Sequence, residues 1–494
     1  MQELPVNRGP RLGLVVNEYS QQIGGMSTVA RATAEYLYAR GYDLHLFTNQ
    51  QCEPDPVIPT YPILTTDLAR DLPRLASFKL DLWHSLNYGY APLSLRCRPL
   101  VLTVHGNDFL SPWVRFKFEK TPLLWRMARR ERGRGWTQRL VDWVSLPRVD
   151  EIIAVSRFTS DLFQRTCRVR QTPMVVPNGV EEFFLQEGDT RLQLLDSSVP
   201  PPCRQPSCPE GAIEDPIRSG ASAAPLGLTS QCDTVAGGSR PWLHTFAPAG
   251  AACGGALGEV RSFGDTPGRC EGVDRRPNRL MSVAALYGWQ RKNIDGVIRA
   301  MALVGDRLDL EYCIVGDGTG RPALEKLAAD LAVSHRVRFL GRLTQEELRA
   351  AYASASLFVL TPRPTPGDVE GFGLVYLEAA GSGTPSLGTR FGGTTDAIAE
   401  GESGFFADDA SPEAIARALE QFFTGRIQFD HETVRDHARR HAWPVVLRRV
   451  ESIYARVCPQ VREWINSRET TPGVQLRPSP VVEIPPEPAP VLCG

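Results

Sequence analysis

The sequence predicts an α/β protein built from two doubly wound, parallel-sheet units in tandem that face each other across a cleft. Three observations carry this prediction. From residue 11 to about 185, short and nearly continuous apolar runs alternate with helical stretches, the mark of parallel strands covered on both faces. The same alternation restarts at Arg279. Glycine-rich loops follow strands in both halves, and doubly wound sheets bind ligands beyond the carboxyl ends of their strands.

In the first unit, residues 1–185, the expected strands are LGLVVN (12–17), DLHLFT (43–48), DLWHSL (81–86), LVLTVHG (100–106), EIIAVS (151–156) and MVVPNG (174–179), with a helix from about Thr28 to Arg40. In the second unit, residues 278–442, the strands are RLMSVAAL, LEYCIVGDG, VRFLG, LFVLTP, TPSLGT and GFFAD. Helices are expected near 294–304, 320–333, 344–354, 373–381 and 411–423, and a C-terminal helix at about 443–466 is expected to pack back on the first unit. Between the units, 186–277, the pattern stops. This stretch is rich in Pro, Gly, Ala and Ser and holds five of the eleven cysteines, so it reads as a disordered insert. A locally shifted reading frame is the competing explanation, because composition changes abruptly at both edges. The tail 470–494 is Pro-rich and expected to be extended and disordered.

The length, 494 residues, calls for two or more domains. A formal net charge of −1 supplies no bulk field for nucleic acid, so none is expected as a partner. No run of twenty apolar residues suggests a spanning helix. The start, with LGLVV as its apolar run, does not match a secretory signal. The cysteines form no CxxC pair, so they read as cytosolic thiols rather than zinc or redox sites. The expected location is cytoplasmic, with peripheral contact to the inner membrane face.

The stretch EGFGLVYLEAAGSG (370–383) places Glu370 in a strand-to-helix loop and Glu378 eight residues on, a separation of roughly 12 Å if the rise is helical. Gly371 and Gly373 let backbone approach a ligand, and the free N–H groups of the new helix favour an anion such as a diphosphate. Carboxylates that each accept two hydroxyl hydrogen bonds suit a sugar and a ribose. The bland alternative is that Glu370 complements the helix dipole and Glu378 is an exposed helix acid; spacing alone does not separate the two. GDG (316–318) is a second glycine loop on the same sheet edge. QQIGGMSTVA (21–30) is a third, in the first unit, where Gly24 and Gly25 read as a phosphate-approach turn and Ser27 and Thr28 as a helix cap. VHGND (104–108) puts His105 at the end of the fourth expected strand. The segment 113–140 holds nine Lys/Arg against two Glu with interleaved aromatics, which suits an anionic membrane surface, a phosphorylated acceptor or a solvated helix face with buried aromatics.

These segments, GGMSTVARATAEYLYARGYDLHLFT, TVHGND, IIAVSRFTSDLF, VVPNGVEEFF, RKNIDGVIRAM, YCIVGDG, RVRFLGRLTQEELRAAYASASLFVLTP, EGFGLVYLEAAGSGTPSLGTRFGGTTDAI and GESGFF, resemble in order the retaining, nucleotide-sugar-dependent glycosyltransferases of family 4, with the two-Rossmann GT-B fold. The resemblance implies that Glu370 holds donor-sugar hydroxyls, that Glu378 holds the ribose, and that the backbone of Gly371, Phe372, Gly373 and Leu374 contacts sugar and diphosphate. It implies that Lys292 neutralises the diphosphate, that Gly24 and Gly25 close over the phosphates, that His105 lies near the reacting sugar carbon, and that Gly316 and the turn ending at Arg342 pack on the nucleoside. Ala285 stands where the family usually has an arginine, and Arg291 is the candidate replacement. Asp396 stands where the family usually has glutamate.

The implied reaction moves a hexose from a nucleoside-diphosphate sugar to an acceptor hydroxyl on a glycan or lipid precursor, with GDP-mannose the first candidate donor and a UDP-hexose the second. Charge on the leaving diphosphate is met by a helix N-terminus, loop amides and Lys292, so neither a metal nor a cofactor is expected. The alternatives are an inactive nucleotide-sugar-binding or scaffold protein and a GT-B sugar-nucleotide epimerase.

Overall fold

The computed structural model describes residues 9–19, 25–117, 135–186 and 278–469. Gly24, nearly all of the 186–277 insert, the 470–494 tail and residues 118–134 of the basic, aromatic segment lie outside the described residues.

Two wholly parallel sheets form. The first runs β3-β2-β1-β4-β5-β6-β7, ending on β6 (Glu151–Ala154) and β7 (Met174–Val175), and the second runs β10-β9-β8-β11-β12-β13, with β10 (Val337–Gly341) at one edge and β12 (Ser386–Thr389) and β13 (Gly404–Ala407) at the other. In the first, β1 (Arg11–Val15) pairs with β2 (Asp43–Asn49) on one side and β4 (Leu82–Ser85) on the other, so strand order reverses between β1 and β4. In the second, β8 (Asn278–Val283) lies between β9 (Leu310–Val315) and β11 (Leu357–Val359), and the reversal repeats. At such a reversal the crossover helices leave to opposite faces and open a crevice at the carboxyl ends.

The burial patterns explain the apolar runs. β5 (Leu100–Val104) is buried at every position, as a central parallel strand demands. β3 (Thr60–Leu64), the strand the sequence reading missed, is an edge strand that is mostly half-exposed. Its Pro62 hides it, because proline cannot donate to a ladder and argues against a central strand. With β3 counted, His105 follows the fifth strand and not the fourth. The first helix also differs from expectation. It already runs at Gly25 and continues to Arg40, so Ser27, which is buried, and Thr28 lie inside it rather than capping it.

The C-terminal helix is two helices, Trp443–Val457 and Pro459–Glu469. The break falls at Cys458, where the chain is extended ahead of Pro459, as expected for a residue preceding proline. Val446, Val450, Ile453 and Tyr454 recur at helical spacing and bury in the first unit's core beside Leu12, Leu44 and Val101. Polar groups fix the same contact. Tyr454 Oη lies 2.6 Å from His84 Nδ1, and buried Glu451 accepts from the hydroxyls of Tyr36 and Tyr42 and from Arg40. Among the described residues no helix is long and apolar enough to cross a membrane.

Candidate functional site

The carboxyl ends of both sheets meet at a cavity of about 920 Å³. From the first unit its wall includes Gly25 and His105. From the second it includes Ala285, Arg291, Lys292, Gly316, Arg342, Glu370, Gly371, Phe372, Gly373, Leu374 and Glu378. Every described residue to which the resemblance assigned a part in holding the donor therefore lines one space.

Glu370 is buried and follows β11 by an extended loop. Its Oε2 accepts from Lys292 Nζ and from an Arg291 guanidinium nitrogen, both at 2.6 Å. Burial by itself would raise this carboxyl; the two cations outweigh burial and hold it below its ordinary value. Arg291 and Lys292 reach it because Trp289–Lys292 forms one helical turn, ended by Asn293 in the left-handed region at φ 58°. Arg291 Nε also donates to Asp368 at 2.8 Å. Ala285 is exposed and lines the cavity, so this position supplies no cation, whereas Arg291 does enter the cluster.

The helix Leu374–Gly381 begins only after Gly373, which takes φ 94°. The expected separation of Glu370 and Glu378 assumed helical rise throughout, whereas about half of that interval is loop. Glu378 lies within the helix and accepts from Tyr352 Oη at 2.9 Å. Burial raises its carboxyl to about 7, opposed by that hydrogen bond. Gly316, at φ 122°, lies against the backbone of Ala284, where a Cβ would stand 1.9 Å from the carbonyl oxygen.

The two units touch beside Glu370. A Cβ on Gly371 would come within 2.0 Å of the His105 carbonyl oxygen. The Gly371 carbonyl accepts from Ser156 Oγ at 2.7 Å and from Thr159 Oγ1 at 3.2 Å, both in the first turn of the helix Arg157–Cys167 or its cap. Arg157 donates to Asp396 through its backbone at 3.1 Å and Nε at 2.8 Å. The Gly25 end of the first helix approaches Leu374 across the same gap. Burial pushes the His105 imidazole down to about 4, and its buried Nε2 has no protein partner.

Several residues here went unread in the sequence. Asn17 is buried with both amide atoms unpartnered by protein and lines the cavity, as do Asn178, Asn107 and Asp108. Ser156, Thr159 and Asn107 act across units, and no local spacing signals a contact of that range. Asn17 gave one usable signal, a polar residue ending an apolar strand run at the sheet's carboxyl edge.

A pair of facing doubly wound units with a glycine-lined, cation-bearing cleft between their carboxyl edges defines a GT-B protein. Two family models match the chain: one described as Glycosyl transferases group 1 over residues 271–440, and one described as Glycosyltransferase Family 4 over residues 23–182. The chain belongs to this family of glycosyltransferases. It is similar to a D-inositol 3-phosphate glycosyltransferase of Corynebacterium urealyticum, 39% identical over 143 residues that cover 28% of this chain and 32% of that protein. It is also similar to a GDP-mannose-dependent alpha-(1-6)-phosphatidylinositol monomannoside mannosyltransferase of Mycolicibacterium smegmatis, 38% identical over 133 residues covering 26% and 35%. The matched stretches thus span about a third of the length of these curated relatives. In fold the chain resembles sucrose-phosphate synthase of Thermosynechococcus elongatus, at 17% identity and a TM-score of 0.58, covering 93% of this chain and all of the other.

Proposed function

We propose that this chain transfers a hexose from a nucleoside-diphosphate sugar to an acceptor hydroxyl, with retention of anomeric configuration and without a metal. The single observation that carries the reading is the cluster in which Glu370, Lys292 and Arg291 meet beside the Gly371–His105 contact. In this reading the diphosphate enters at Lys292, Arg291 and the N-terminus of the Leu374–Gly381 helix. The two cations turn from Glu370 toward the phosphates, and Glu370 is released to accept sugar hydroxyls. As the glycosidic bond to the diphosphate breaks, negative charge grows on the leaving oxygen where fixed cations and amides already stand, which is where preorganised charge acts most strongly. Glu378 takes the ribose hydroxyls. His105, neutral and with Nε2 unpartnered, faces the sugar; Asn17 offers both a donor and an acceptor to a polyol on the first unit's side.

GDP-mannose is the first donor to test and UDP-hexoses the second. Both of these curated relatives are named for an inositol compound, which favours a cyclic polyol, free or lipid-linked, as acceptor. Peripheral contact with the cytoplasmic face of a membrane belongs to the same reading: the helix Trp136–Ser145 exposes Leu140 and Trp143 beside exposed Arg139 and Arg148. Sedimentation with anionic and neutral vesicles tests that part, and equal binding rejects it. A thermal-shift screen against UDP- and GDP-sugars tests the donor: stabilisation by one nucleotide sugar supports the reading, and indifference to all of them refutes it. Binding without turnover would favour a scaffold role, the alternative that Ala285 motivates.

A further inference from the structure

We propose that Asn107 and Asp368 form a cross-cleft latch that sets the position of Arg291, making both of them positioning residues for the transfer; the inference rests on the glycosyltransferase reading above. Asn107 begins the short helix after His105 and Gly106 in the first unit, and Asp368 lies two residues before Glu370 in the second. The Asn107 amide nitrogen donates to Asp368 Oδ1, and its carbonyl oxygen accepts from the Val369 backbone N–H at 2.8 Å. The other oxygen of the same Asp368 carboxylate takes Arg291 Nε at 2.8 Å, and Arg291 in turn reaches Glu370 at 2.6 Å. One carboxylate therefore joins the first unit to the cation that the reading assigns to the leaving diphosphate.

The path is directional. Asn107 uses a donor and an acceptor on adjacent residues of one loop, so the pair is satisfied at one separation and one rotation of the two units. Drawing His105 away from Gly371 breaks both Asn107 hydrogen bonds. Asp368 then keeps only Arg291, and the guanidinium loses the fixed anchor that aims it along the cleft. Closure and the aim of the cation are set by the same contact, a means of withholding the full charge array until the acceptor-side unit is in place. Asn107 touches no reacting atom in this account; it acts through Asp368.

The test uses the full chain and three proteins: the parent, Asn107→Asp, and the exchanged pair Asn107→Asp with Asp368→Asn. Asn107→Asp sets two carboxylates against each other. The exchanged pair restores one donor and one acceptor with their places reversed, and the amide oxygen at 368 still accepts from Arg291. Turnover with the nucleotide sugar found in the screen should fall about 10- to 100-fold in Asn107→Asp, chiefly in kcat and with little change in donor KM. It should return to within about threefold of the parent in the exchanged pair. Small-angle scattering of the free proteins should show a larger radius of gyration for the single variant and the parent's value for the exchanged pair. Parent-like kcat and radius in Asn107→Asp, or a loss that the exchange does not repair, overturns the latch. Scattering needs no substrate, so a radius that grows in Asn107→Asp and returns in the exchanged pair, with a parent that turns over no nucleotide sugar, would keep the contact between the units and remove the glycosyltransferase reading, and with it the positioning role.

Discussion

Gly371 and His105 touch backbone to backbone across the cleft, so closely that a Cβ on Gly371 would stand 2.0 Å from the His105 carbonyl oxygen. That oxygen belongs to the main chain at the end of β5 and cannot swing aside. Gly371→Ala should therefore hold the two units apart while leaving each core intact. Turnover should fall by a factor of about 10², the scale of a small misplacement of reacting groups, with the melting temperature close to the parent's. Unaltered turnover would show that closure at this contact is not needed.

Arg291 stands in the cluster where Ala285 leaves the family's usual cation missing. Arg291→Ala should cut turnover about 10- to 100-fold, and adding Ala285→Arg to that variant should recover much of the loss. Steady-state kinetics on the single and double variants checks this. No recovery would mean that Arg291 serves only to hold Asp368 and Glu370.

Glu378 supplies a pH dependence. Its carboxyl is raised by burial to about 7, so the folded chain holds a proton there that the unfolded chain has already released. The sign follows: stability at this site falls as pH rises from the ordinary carboxyl range toward about 7. Nucleotide affinity should move the opposite way, tightening as the ionised carboxylate becomes able to accept from both ribose hydroxyls. Titrating nucleotide binding on either side of neutrality checks this, and Glu378→Gln should bind more weakly with no such trend.

The helices after residue 442 bear on stability rather than chemistry. Tyr454→Phe leaves buried His84 Nδ1 without its partner and should cost about 1–3 kcal/mol, read by denaturant unfolding. Proximity of the two units should suffer too, because this helix belongs to the chain leaving the second unit but packs in the core of the first.

Strand positions were legible in the sequence because parallel strands buried on both faces read as apolar runs; β5, Leu100–Val104, falls where LVLTVHG stands. The edge strand β3 was not, since Pro62 and half-exposure erase the signal. The site residues of the second unit were legible because glycine and glutamate cluster within one loop and helix. Arg291 on Asp368, Asn107 on Val369 and Ser156 on Gly371 were not, because they join residues from 77 to 262 positions apart. The Ser27–Thr28 cap failed for a local reason: the helix already runs at Gly25, so neither hydroxyl stands at its end.

The central claim is that the Glu370, Lys292 and Arg291 cluster handles a sugar diphosphate for transfer. Its most direct test is the rate of nucleoside diphosphate release from the nucleotide sugar that binds, measured for the parent, Glu370→Gln and Lys292→Ala. The account predicts measurable release by the parent and a fall of about 10² or more in each variant, with folding unchanged. Release that persists at the parent's rate in either variant, or a parent that binds the nucleotide sugar and never releases its diphosphate, would contradict it.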